Sequence, residues 1–387
     1  MRPLEGITVL DLTRVLSGPY CTMLLADMGA RVIKVEQPGK GDDTRAWGPP
    51  FLAGESAYFL SINRNKESVT LDFKHPDGRA ILDRLIAKSD VLVENFRPGT
   101  LTRQRLDYDA IAARYPRLVY CSISGFGRAG ADRARPALDP VIQAMSGIMQ
   151  LTGSDETGPL RTGFPFSDLV TPLFATIGVL AALRVRERTG RGQRVDLSML
   201  DATIFGMMPR EAYFFATGRT PSRLGNEHYQ IAPWNTYETA DGRYMIVVAH
   251  TEKFWHALLT ALDAPELGAD PRFLSNADRV RNRTALNARL AAAFRTASID
   301  EWTPRLTAAG VLFAPVRSFP EVFSDPRVRR EMLVELDHPT AGRITVLANP
   351  LRFSETPATV RRCPPRLGEH TAEVLSPDTD EAGGAAS

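Results

Sequence analysis

The acidic residue that stands out for possible chemistry is Asp168, which directly precedes fifteen residues without a formal charge, Leu169 to Leu183. That run is rich in helix-forming residues, and its apolar positions recur three and four apart, so the pattern predicts a mostly buried helix. A helix N-terminus carries partial positive charge and keeps a carboxylate ionised. In a water-poor site, an ionised aspartate can attack an activated carbonyl group, and free N–H groups of the first turn can stabilise the resulting oxyanion.

A second interpretation is that this carboxylate is a helix cap. Asp168, or Ser167 beside it, can accept hydrogen bonds from the free N–H groups of the first turn. Pro172 favours a helix start nearby, because N–H groups in the opening turn lack intrahelical partners. Fifteen residues are fewer than the about 20 that a membrane span needs, so we expect a core helix and no membrane partner. These residues alone leave cap and nucleophile as alternatives.

The composition is that of a globular protein with one large domain or more than one. The chain has 387 residues, of which 24% are charged and 43% hydrophobic, an ordinary mixture. A net charge of +2 gives no indication of nucleic-acid binding. The three cysteines and six histidines lack metal-ligand spacing, so we expect no bound metal and a reducing, cytoplasmic location. We expect no signal peptide and a disordered tail over about the last dozen residues.

Strand and helix patterns alternate over roughly the first 125 residues. Strands are predicted at 7–13, 31–36, 68–73, 90–95 and 118–124, and helices at 18–30, 76–89 and 106–116. This alternation is typical of a doubly wound α/β fold with a parallel sheet.

Three parts of the chain are expected from the later pattern changes. The first is a large α/β domain over residues 1–200. The second is a smaller α+β domain over residues 225–318, with strands at 241–249 and 312–318 and helices at 252–262, 283–298 and 299–310. The third is a C-terminal segment over residues 319–387, in which residues 342–354 again resemble strands.

The loops after the predicted strands favour a large phosphorylated ligand over a dinucleotide. The turn "TRVLSGPY" has one glycine where the dinucleotide motif needs three, and the sequence has neither a phosphate-binding P-loop nor a hydrolase G-x-S-x-G turn. Polar clusters instead follow four strands, at 36–47, 63–74, 94–103 and 124–130. Each alone is typical of an ordinary surface loop. Together they lie where open α/β sheets bind ligands, and their Arg and Lys residues suit phosphate groups.

A series of motifs along nearly the whole chain resembles the family III CoA-transferases, which include formyl-CoA transferase and the carnitine-type enzymes. The motifs are "PLEGITVLDLTRVLSGPYCTMLLADMGARVIKVEQPGKGDDTR", "NRNKESVTLDFK", "VLVENFRPGTL", "LDPVIQAMSGIM", "SDLVTPLFATIGVLAAL", "GRGQRVDLSMLDA", "YETADGRYMIV" and "PPRLGEHTAEVL". The resemblance implies that Asp168 is the catalytic aspartate. The implied CoA contacts are Leu16, Ser17, Gln37, Leu71, Asp72, Phe73, Lys74, Asn95, Phe96, Arg97, Arg103, Pro136, Ala137, Leu138 and Asp139.

The resemblance also implies an architecture and a reaction. The large domain would be Rossmann-like, with the smaller domain inserted, the C-terminal segment packed back onto it, and two ring-like protomers interlocked as a homodimer. Asp168 would attack an acyl-CoA thioester and pass through an aspartyl-acyl anhydride and an aspartyl-CoA thioester before a carboxylic acid accepts CoA. CoA would be a substrate, and no further cofactor is implied. Because such anhydrides hydrolyse readily, a closed, water-poor site is expected.

Two residues depart from the formyl-CoA transferase pattern. Leu16 stands where that enzyme has a glutamine that closes over the active aspartate, which argues against formyl or oxalyl specificity. Gln37 stands where it has an arginine near the CoA phosphates, which weakens one CoA contact without affecting the chemistry.

Two other functions remain as alternatives. An α-methylacyl-CoA racemase shares the fold and the aspartate, but it needs two acid/base groups at the α-carbon. Racemases have a histidine before the aspartate of a segment like "ALDPVI", where this chain has Leu138 before Asp139. A CoA-binding protein without turnover is the second alternative.

The acyl pocket is expected to include residues 224–242. His228 and Trp234 are the informative residues there, although a turn histidine and a packing tryptophan are equally good interpretations. A cationic or hydrogen-bonding pocket would favour dicarboxylic acids such as succinate.

Overall fold

The computed structural model describes residues 1–376, so most of the tail predicted to be disordered lies outside the described residues. The chain divides into two compact units. Unit 1 comprises Met1–Ile148, Arg161–Glu211 and the described residues from Pro326 to 376, and unit 2 comprises Met149–Leu160 and Ala212–Asp325.

Unit 1 is built on a six-stranded parallel sheet. Its strands are β1 (Thr8–Asp11), β2 (Arg31–Glu36), β3 (Lys66–Thr70), β4 (Val91–Glu94), β5 (Val119–Ser124) and β6 (Arg194–Ser198). They lie in the order β6-β5-β4-β1-β2-β3, with every neighbouring pair parallel. The chain starts in the middle of the sheet: β2 and β3 follow on one side of β1, and β4, β5 and β6 follow on the other. Ligands of such sheets bind beyond the carboxyl ends of the strands where the strand order switches sides, here between β1 and β4. The predicted α/β fold with a central parallel sheet is confirmed.

Both faces of this sheet are covered. Successive residues of a strand point to opposite faces, and accordingly Val9 and Leu10 belong to two different hydrophobic cores. The helices that lie within unit 1 are Ser17–Asp27, Ala57–Ile62, Pro76–Ala87, Thr100–Arg103, Tyr108–Ile111, Asp139–Ser146, Phe166–Thr189, Met199–Phe205, Pro326–Met332 and Thr371–Leu375, with 3-10 turns at Asp43–Ala46 and Ala131–Ala134. Helices Ile148–Leu151 and Glu211–Thr217 each contain a point at which the chain passes from unit 1 to unit 2. Short strand pairs occur at Phe51–Leu52 with Glu55–Ser56 in unit 1 and Gly153–Ser154 with Gly158–Pro159 in unit 2.

Two elements differ from the sequence-based prediction in length or position. The predicted strand 68–73 lies at Lys66–Thr70, so it begins two residues earlier and ends three residues earlier. Lys66 can start a buried strand because its ammonium group lies 3.1 Å from the Asp11 carboxylate. The predicted helix 106–116 is helical over Tyr108–Ile111 alone. Turns follow it as far as Pro116, which disfavours helical geometry in the residue before it.

The helix that carries Asp168 is longer than the charge-free run predicted. It spans Phe166–Thr189, with Pro172 inside it rather than at its start, and it packs against helix Ser17–Asp27 and strands β5 and β6. By length and composition it could cross a membrane, a test that core helices of soluble proteins also pass. We call it the Asp168 helix.

Unit 2 contains a three-stranded antiparallel sheet covered by helices. The strands are Trp234–Glu238, Tyr244–Val248 and Leu312–Pro315. The helices are Glu252–Leu262, Pro265–Ala269, Asn276–Arg281, Arg283–Phe294, Ile299–Ala309 and Phe319–Ser324. The buried aromatic residues Trp255, Phe273, Phe294 and Trp302 fill its core. The strands and helices predicted for residues 241–318 are present.

The C-terminal part of unit 1 contains an antiparallel hairpin and a segment bound by buried polar residues. The hairpin pairs Leu333–His338 with Gly342–Leu347. The carboxylate of Asp27 accepts hydrogen bonds from Arg64, from Asn65 at 2.8 Å and from Asn349 at 3.1 Å. The side-chain oxygen of Asn65 accepts the backbone N–H of Arg361 at 2.6 Å. These four side chains, the Asp27 cluster, therefore fix a late segment of the chain against an early one.

Candidate active site

Asp168 is the third residue of its helix, and its side chain does not cap that helix. The residue before the helix is Pro165, which makes no side-chain capping bond. The Asp168 carboxylate instead accepts a hydrogen bond from the Ser17 hydroxyl group, with Oγ and Oδ1 2.5 Å apart. Ser167 makes no cap either, since its buried Oγ has no hydrogen-bond partner among the described residues. The capping interpretation of Asp168 and Ser167 is therefore wrong.

Asp139 supplies the cap from another helix. Its Oδ1 accepts the backbone N–H of Ser167 at 2.8 Å and, more weakly, that of Asp168 at 3.4 Å. Its Oδ2 accepts a hydrogen bond from Gln143 at 2.7 Å. A negative charge at this position complements the positive end of the helix. The first turn of the Asp168 helix is thus fixed by a carboxylate that lies 29 residues earlier in the chain.

Ser17 is placed by the loop that follows β1. Val15 has a φ of 70°, a left-handed conformation that costs a β-branched residue about 1–3 kcal/mol. Its N–H donates to Asp42 at 3.2 Å, which ties this loop to the one after β2. Gly18 is required next, because a Cβ there would lie 2.3 Å from the Thr13 side chain. Ser17 therefore begins its helix in a tightly packed position.

The surroundings of Asp168 favour its protonated form. Burial raises the pKa of the Asp168 carboxyl group to about 6, the hydrogen bond from Ser17 opposes this shift, and the negative charge of Asp139 adds to it. A carboxylate that is costly to ionise is also poorly solvated when ionised, which makes it more reactive toward an electrophile.

Asp168 lines a cavity of about 160 Å³, the Asp168 cavity, at the strand ends of unit 1. Four arginines line it together with the carboxylate: Arg14, Arg97, Arg133 and Arg135. Its other lining residues include Leu16, Ser17, Asp43, Asn95, Phe96, Ala137, Leu138 and Met199. Its arginines make it suited to anionic ligands.

A larger cavity of about 540 Å³ lies beside it and shares Arg14 and Phe96 with it. This second space, the large cavity, is lined by cationic side chains from Arg14, Lys34, Lys74 and Arg103. Gln37, Leu71, Asp72 and Phe73 also line it. The Phe73 and Phe96 rings meet edge to face with centroids 6.4 Å apart. Charge and volume together fit a phosphorylated ligand with an aromatic base.

A buried ion pair forms the floor of the large cavity. The ammonium group of Lys34 lies 2.9 Å from Asp42 and donates to the Thr13 carbonyl group at 2.8 Å. Burial opposes ionisation of both side chains, yet the negative charges of Asp11 and then Asp42 raise the pKa of Lys34, and the charge of Lys34 lowers the pKa of Asp42. Since Lys34 is already paired, Lys74 and Arg103 are the better candidates for ligand contacts.

The structure brings together nearly all of the predicted site residues. Those on the Asp168 cavity are Leu16, Ser17, Asn95, Phe96, Arg97, Ala137 and Leu138, and those on the large cavity are Gln37, Leu71, Asp72, Phe73, Lys74, Phe96 and Arg103. Pro136 is exposed and lines neither of these cavities. Asp139 also lines neither, because its carboxylate faces the N-terminus of the Asp168 helix.

Sequence reasoning missed Tyr58 and Arg14. Burial raises the pKa of Tyr58 to about 12, and the negative charges of Asp168 and Asp139 add to the shift, which places this phenol in the electrostatic field of the site. Its ring meets that of Trp47 edge to face at 5.3 Å. Arg14 lines both cavities. An isolated tyrosine and an arginine after a strand carry no distinguishing sequence signal.

In unit 2, the rings of His228 and Trp234 stack with centroids 4.8 Å apart and an interplanar angle of 26°. His228 also accepts the backbone N–H of Gln230 at Nδ1. The two residues singled out from the sequence are thus in contact with one another.

Comparison with known proteins identifies the family of this chain. Residues 4–371 match CoA-transferase family III. Succinyl-CoA:glutarate CoA-transferase of Mus musculus is 40% identical over 376 residues, covering 97% of this chain and 86% of that protein. Acetyl-CoA:oxalate CoA-transferase of Acetobacter aceti is 40% identical over 354 residues, covering 91% of this chain and 89% of that protein. A CAIB/BAIF family protein from Brucella suis has a solved structure with a TM-score of 0.88 at 39% identity, covering 97% of this chain and 100% of that one. The sequence, the parallel sheet and these matches establish that this chain belongs to CoA-transferase family III.

Proposed function

We propose that the protein transfers CoA from an acyl-CoA to a carboxylic acid through covalent intermediates on Asp168. The observation that carries this proposal is the position of that carboxylate. It lies in a small arginine-lined cavity that adjoins a larger cationic one, with its pKa raised by burial. CoA in the large cavity could extend its thioester toward Asp168.

The proposed reaction has four steps. Asp168 attacks the thioester carbonyl and expels CoA thiolate, which leaves an aspartyl-acyl anhydride. The thiolate attacks the aspartyl carbonyl, giving an aspartyl-CoA thioester and the first acid. The acceptor carboxylate attacks that thioester, and the released thiolate then attacks the new acyl group and regenerates Asp168. Apolar neighbours such as Leu16 and Met199 line the cavity and would limit hydrolysis of the anhydrides.

We assign CoA binding to the two cavities. Lys74 and Arg103 would bind phosphate groups, and Phe73 and Phe96 would contact the adenine ring. Gln37 lines the large cavity as a neutral residue, so it would contribute hydrogen bonds rather than charge.

The acids we propose are dicarboxylic, such as succinate and glutarate. The relative from Mus musculus and one from Agrobacterium fabrum, 37% identical, are named as CoA-transferases for succinate or succinyl-CoA and glutarate. Four arginines beside Asp168 could bind the second carboxylate of such an acid. The proposed location is the cytoplasm.

The proposed assembly is an interlocked homodimer with unit 2 as an inserted domain. In support, the Asp168 helix leaves Leu173 and Ile177 exposed at 46% and 60%, and Phe205 on helix Met199–Phe205 is 55% exposed. Phe174 and Phe205 link the two helices by an edge-to-face contact at 5.4 Å. An apolar surface of this kind is typical of a protein interface.

A racemase remains the weaker alternative. Proton transfer at both faces of an α-carbon needs two acid/base groups. Leu138 lines the Asp168 cavity at the position where racemases have histidine, and the following Asp139 is engaged in capping. Among the described residues that line this cavity, there is no histidine.

The covalent intermediate provides the test. Incubation with succinyl-CoA alone should leave CoA attached to the enzyme, because a second acid is needed to discharge the thioester. Mass spectrometry of peptide 162–184 should place the adduct on Asp168, and hydroxylamine should inactivate the loaded enzyme while sparing the unloaded one. The Asp168→Asn variant is the control and should form no adduct. An adduct on another residue, or α-proton exchange without acid-dependent CoA transfer, would contradict the proposal.

A further inference from the structure

The hydrogen bond between Ser17 and Asp168 joins two parts of unit 1 that are 151 residues apart in the chain. Ser17 is buried at the first position of its helix, and Asp168 Oδ1 is the acceptor of its hydroxyl proton at 2.5 Å. Because Oδ1 holds this bond, Oδ2 is the oxygen left available for attack on a substrate. The hydroxyl group therefore distinguishes the two oxygens of the proposed nucleophile.

We propose that Ser17 is a catalytic residue whose hydroxyl group stays bonded to Oδ1 of Asp168 and stabilises the negative charge that forms there. The proposal rests on the proposed function, since Oδ1 becomes a carbonyl oxygen only when Asp168 is acylated. It goes further by assigning a chemical role to a residue that the family resemblance implied as a CoA contact.

The electron flow explains why this oxygen needs a donor. When CoA thiolate attacks Cγ of the anhydride, the new S–C bond pushes the carbonyl electron pair onto Oδ1. Collapse restores the carbonyl group, breaks the bond from Cγ to the bridging oxygen, and releases the first acid as its carboxylate. When the acceptor carboxylate attacks the thioester, the pair again moves to Oδ1, and collapse expels CoA thiolate. A donor already positioned at Oδ1 stabilises both oxyanions without further rearrangement.

Ser17 also affects the resting enzyme. Its bond lowers the pKa of Asp168 against the effect of burial, so it keeps part of the carboxylate ionised near neutral pH. The other charged or titratable groups around Asp168 are Asp139 on helix Asp139–Ser146, Tyr58 on Ala57–Ile62, and the cavity residues Arg14, Asp43, Arg97, Arg133 and Arg135. Those groups remain when Ser17 alone is changed.

Discharge of the preformed thioester separates the two effects, because an acylated Asp168 has no ionisable carboxyl group. Enzyme is loaded with succinyl-CoA, freed of excess donor, and mixed with glutarate or hydroxylamine at pH 8. In Ser17→Ala we expect discharge to slow by about 10- to 100-fold, the range expected for a lost hydrogen bond to a charged oxygen. The acid limb of kcat/KM should also move to higher pH, since the missing bond no longer lowers the pKa of Asp168.

Ser167→Ala is the matched control. It removes a buried hydroxyl group one residue from Asp168 that has no partner among the described residues, and it should discharge like the wild type. Ser17→Thr retains the donor and should discharge within about threefold of the wild type. Thermal melting and acyl-CoA affinity should be measured for each variant, so that a folding defect is recognised.

Three outcomes distinguish the possibilities. Discharge of Ser17→Ala within about threefold of the wild type would overturn the role at the oxyanion, even if the acid limb shifts. A loss in Ser17→Thr as large as that in Ser17→Ala would attribute the effect to packing and would also overturn it. Absence of any adduct in the wild type would instead contradict the proposed function itself.

Discussion

At the residue scale, neighbouring groups shift the pKa of the Asp168 carboxyl group in opposite directions. Burial and the charge of Asp139 raise its pKa, and the Ser17 hydroxyl group lowers it. The pKa of Asp168 is about 6 in the folded state, against an ordinary aspartate value of 3.8. The folded protein therefore loses stability as the pH rises from about 3.8 to about 6, because the unfolded state releases the proton first. The same desolvation that favours attack on a thioester therefore destabilises the fold at neutral pH.

Asp168→Asn should abolish CoA transfer and stabilise the protein. The amide keeps an acceptor for Ser17 but never ionises, so the variant should melt a few degrees above the wild type at pH 8. The difference should shrink as the pH falls toward 4, where the wild-type carboxyl group is protonated. Thermal melting across this pH range measures it. A variant less stable than the wild type at pH 8, or one that still transfers CoA, would contradict this prediction.

The activity of the wild type should rise with pH through an acid limb near pH 6, because attack needs the ionised carboxylate and the pKa of Asp168 is about 6. The dependence of kcat/KM on pH, which reports ionisations of the free enzyme, checks this value with an acyl-CoA whose acyl group does not titrate in this range. The same dependence measured with a 3′-dephospho analogue separates the enzyme's titration from that of the CoA phosphate. A limb near pH 4 would mean that Asp168 is solvated in the working enzyme.

At this scale the sequence could identify the reactive residue type but not the side chains that contact it. It identified Asp168 from a charge-free run, but it left the choice between cap and nucleophile open. The deciding partners, Ser17 and Asp139, lie 151 and 29 residues away, and no local pattern records such contacts. Ser17 and Asp139 were expected to contact CoA, whereas their side-chain oxygens face the Asp168 helix.

At the scale of elements, the start of the Asp168 helix depends on a cap from a neighbouring helix. Pro165 cannot cap it, and Pro172 has no N–H to donate to the Asp168 carbonyl group four residues earlier. The backbone on both sides of the nucleophile is thus less constrained by its own helix than usual. Asp139 and the helix Ser17–Asp27 supply the missing constraint.

Asp139→Asn should weaken this arrangement. Asn has one side-chain oxygen, so if it accepts the Ser167 N–H, its amide group faces the Gln143 amide, whose own oxygen accepts the Thr162 N–H at 2.9 Å. Two donors then face each other, and we expect a loss of about 1–3 kcal/mol in the free energy of unfolding. Denaturant unfolding measures it. Asp109→Asn, at an exposed carboxylate whose ion pair with Arg194 at 3.4 Å lies at the surface, is the control, and equal free energies for both variants would refute the capping role.

The loops after the strands supply the charges of the large cavity, and Arg103 tests their role. Arg103→Ala should raise the KM for acyl-CoA by about 10-fold while leaving the KM for the acceptor acid nearly unchanged, because it removes a charged phosphate contact. Steady-state kinetics with each substrate varied separately give the two values. Arg117→Ala removes the same charge from a residue that lines neither cavity, and it should change neither KM. Equal effects on both substrates would argue against CoA binding at Arg103.

Element prediction succeeded where periodicity is strong and failed where polar side chains are buried. The strands β1, β2, β4 and β5 and the helices of residues 252–309 follow apolar patterns. Lys66 is fully buried at the start of β3, a position that the sequence assigned to a polar loop. Its charge is compensated by Asp11, a pairing across two strands that cannot be derived from either strand alone.

At the scale of the whole molecule, the predicted family is confirmed, and the proposed dimer can be tested at its exposed apolar surface. Ile177→Asp should produce monomers, because a buried interface would leave the new carboxylate without a partner. Sedimentation velocity of wild type and variant measures the change. Leu274→Asp, at a residue 57% exposed in unit 2, is the control and should stay dimeric. A monomeric wild type would contradict the proposed assembly.

The Asp27 cluster has a consequence for how the protein is made. Asn65 and its partner Arg361 are 296 residues apart in the chain. At ribosomal rates of about 5–20 residues per second, the partner emerges about 15–60 s after Asn65. During that interval the six strands can already pair and Asp27 can bond Arg64 and Asn65, yet Asp27 lacks Asn349 and the side-chain oxygen of Asn65 lacks the Arg361 N–H. Unit 1 therefore cannot complete this cluster until late in synthesis, and the nascent chain must stay soluble with an unfinished surface until the segment around Arg361 packs onto it.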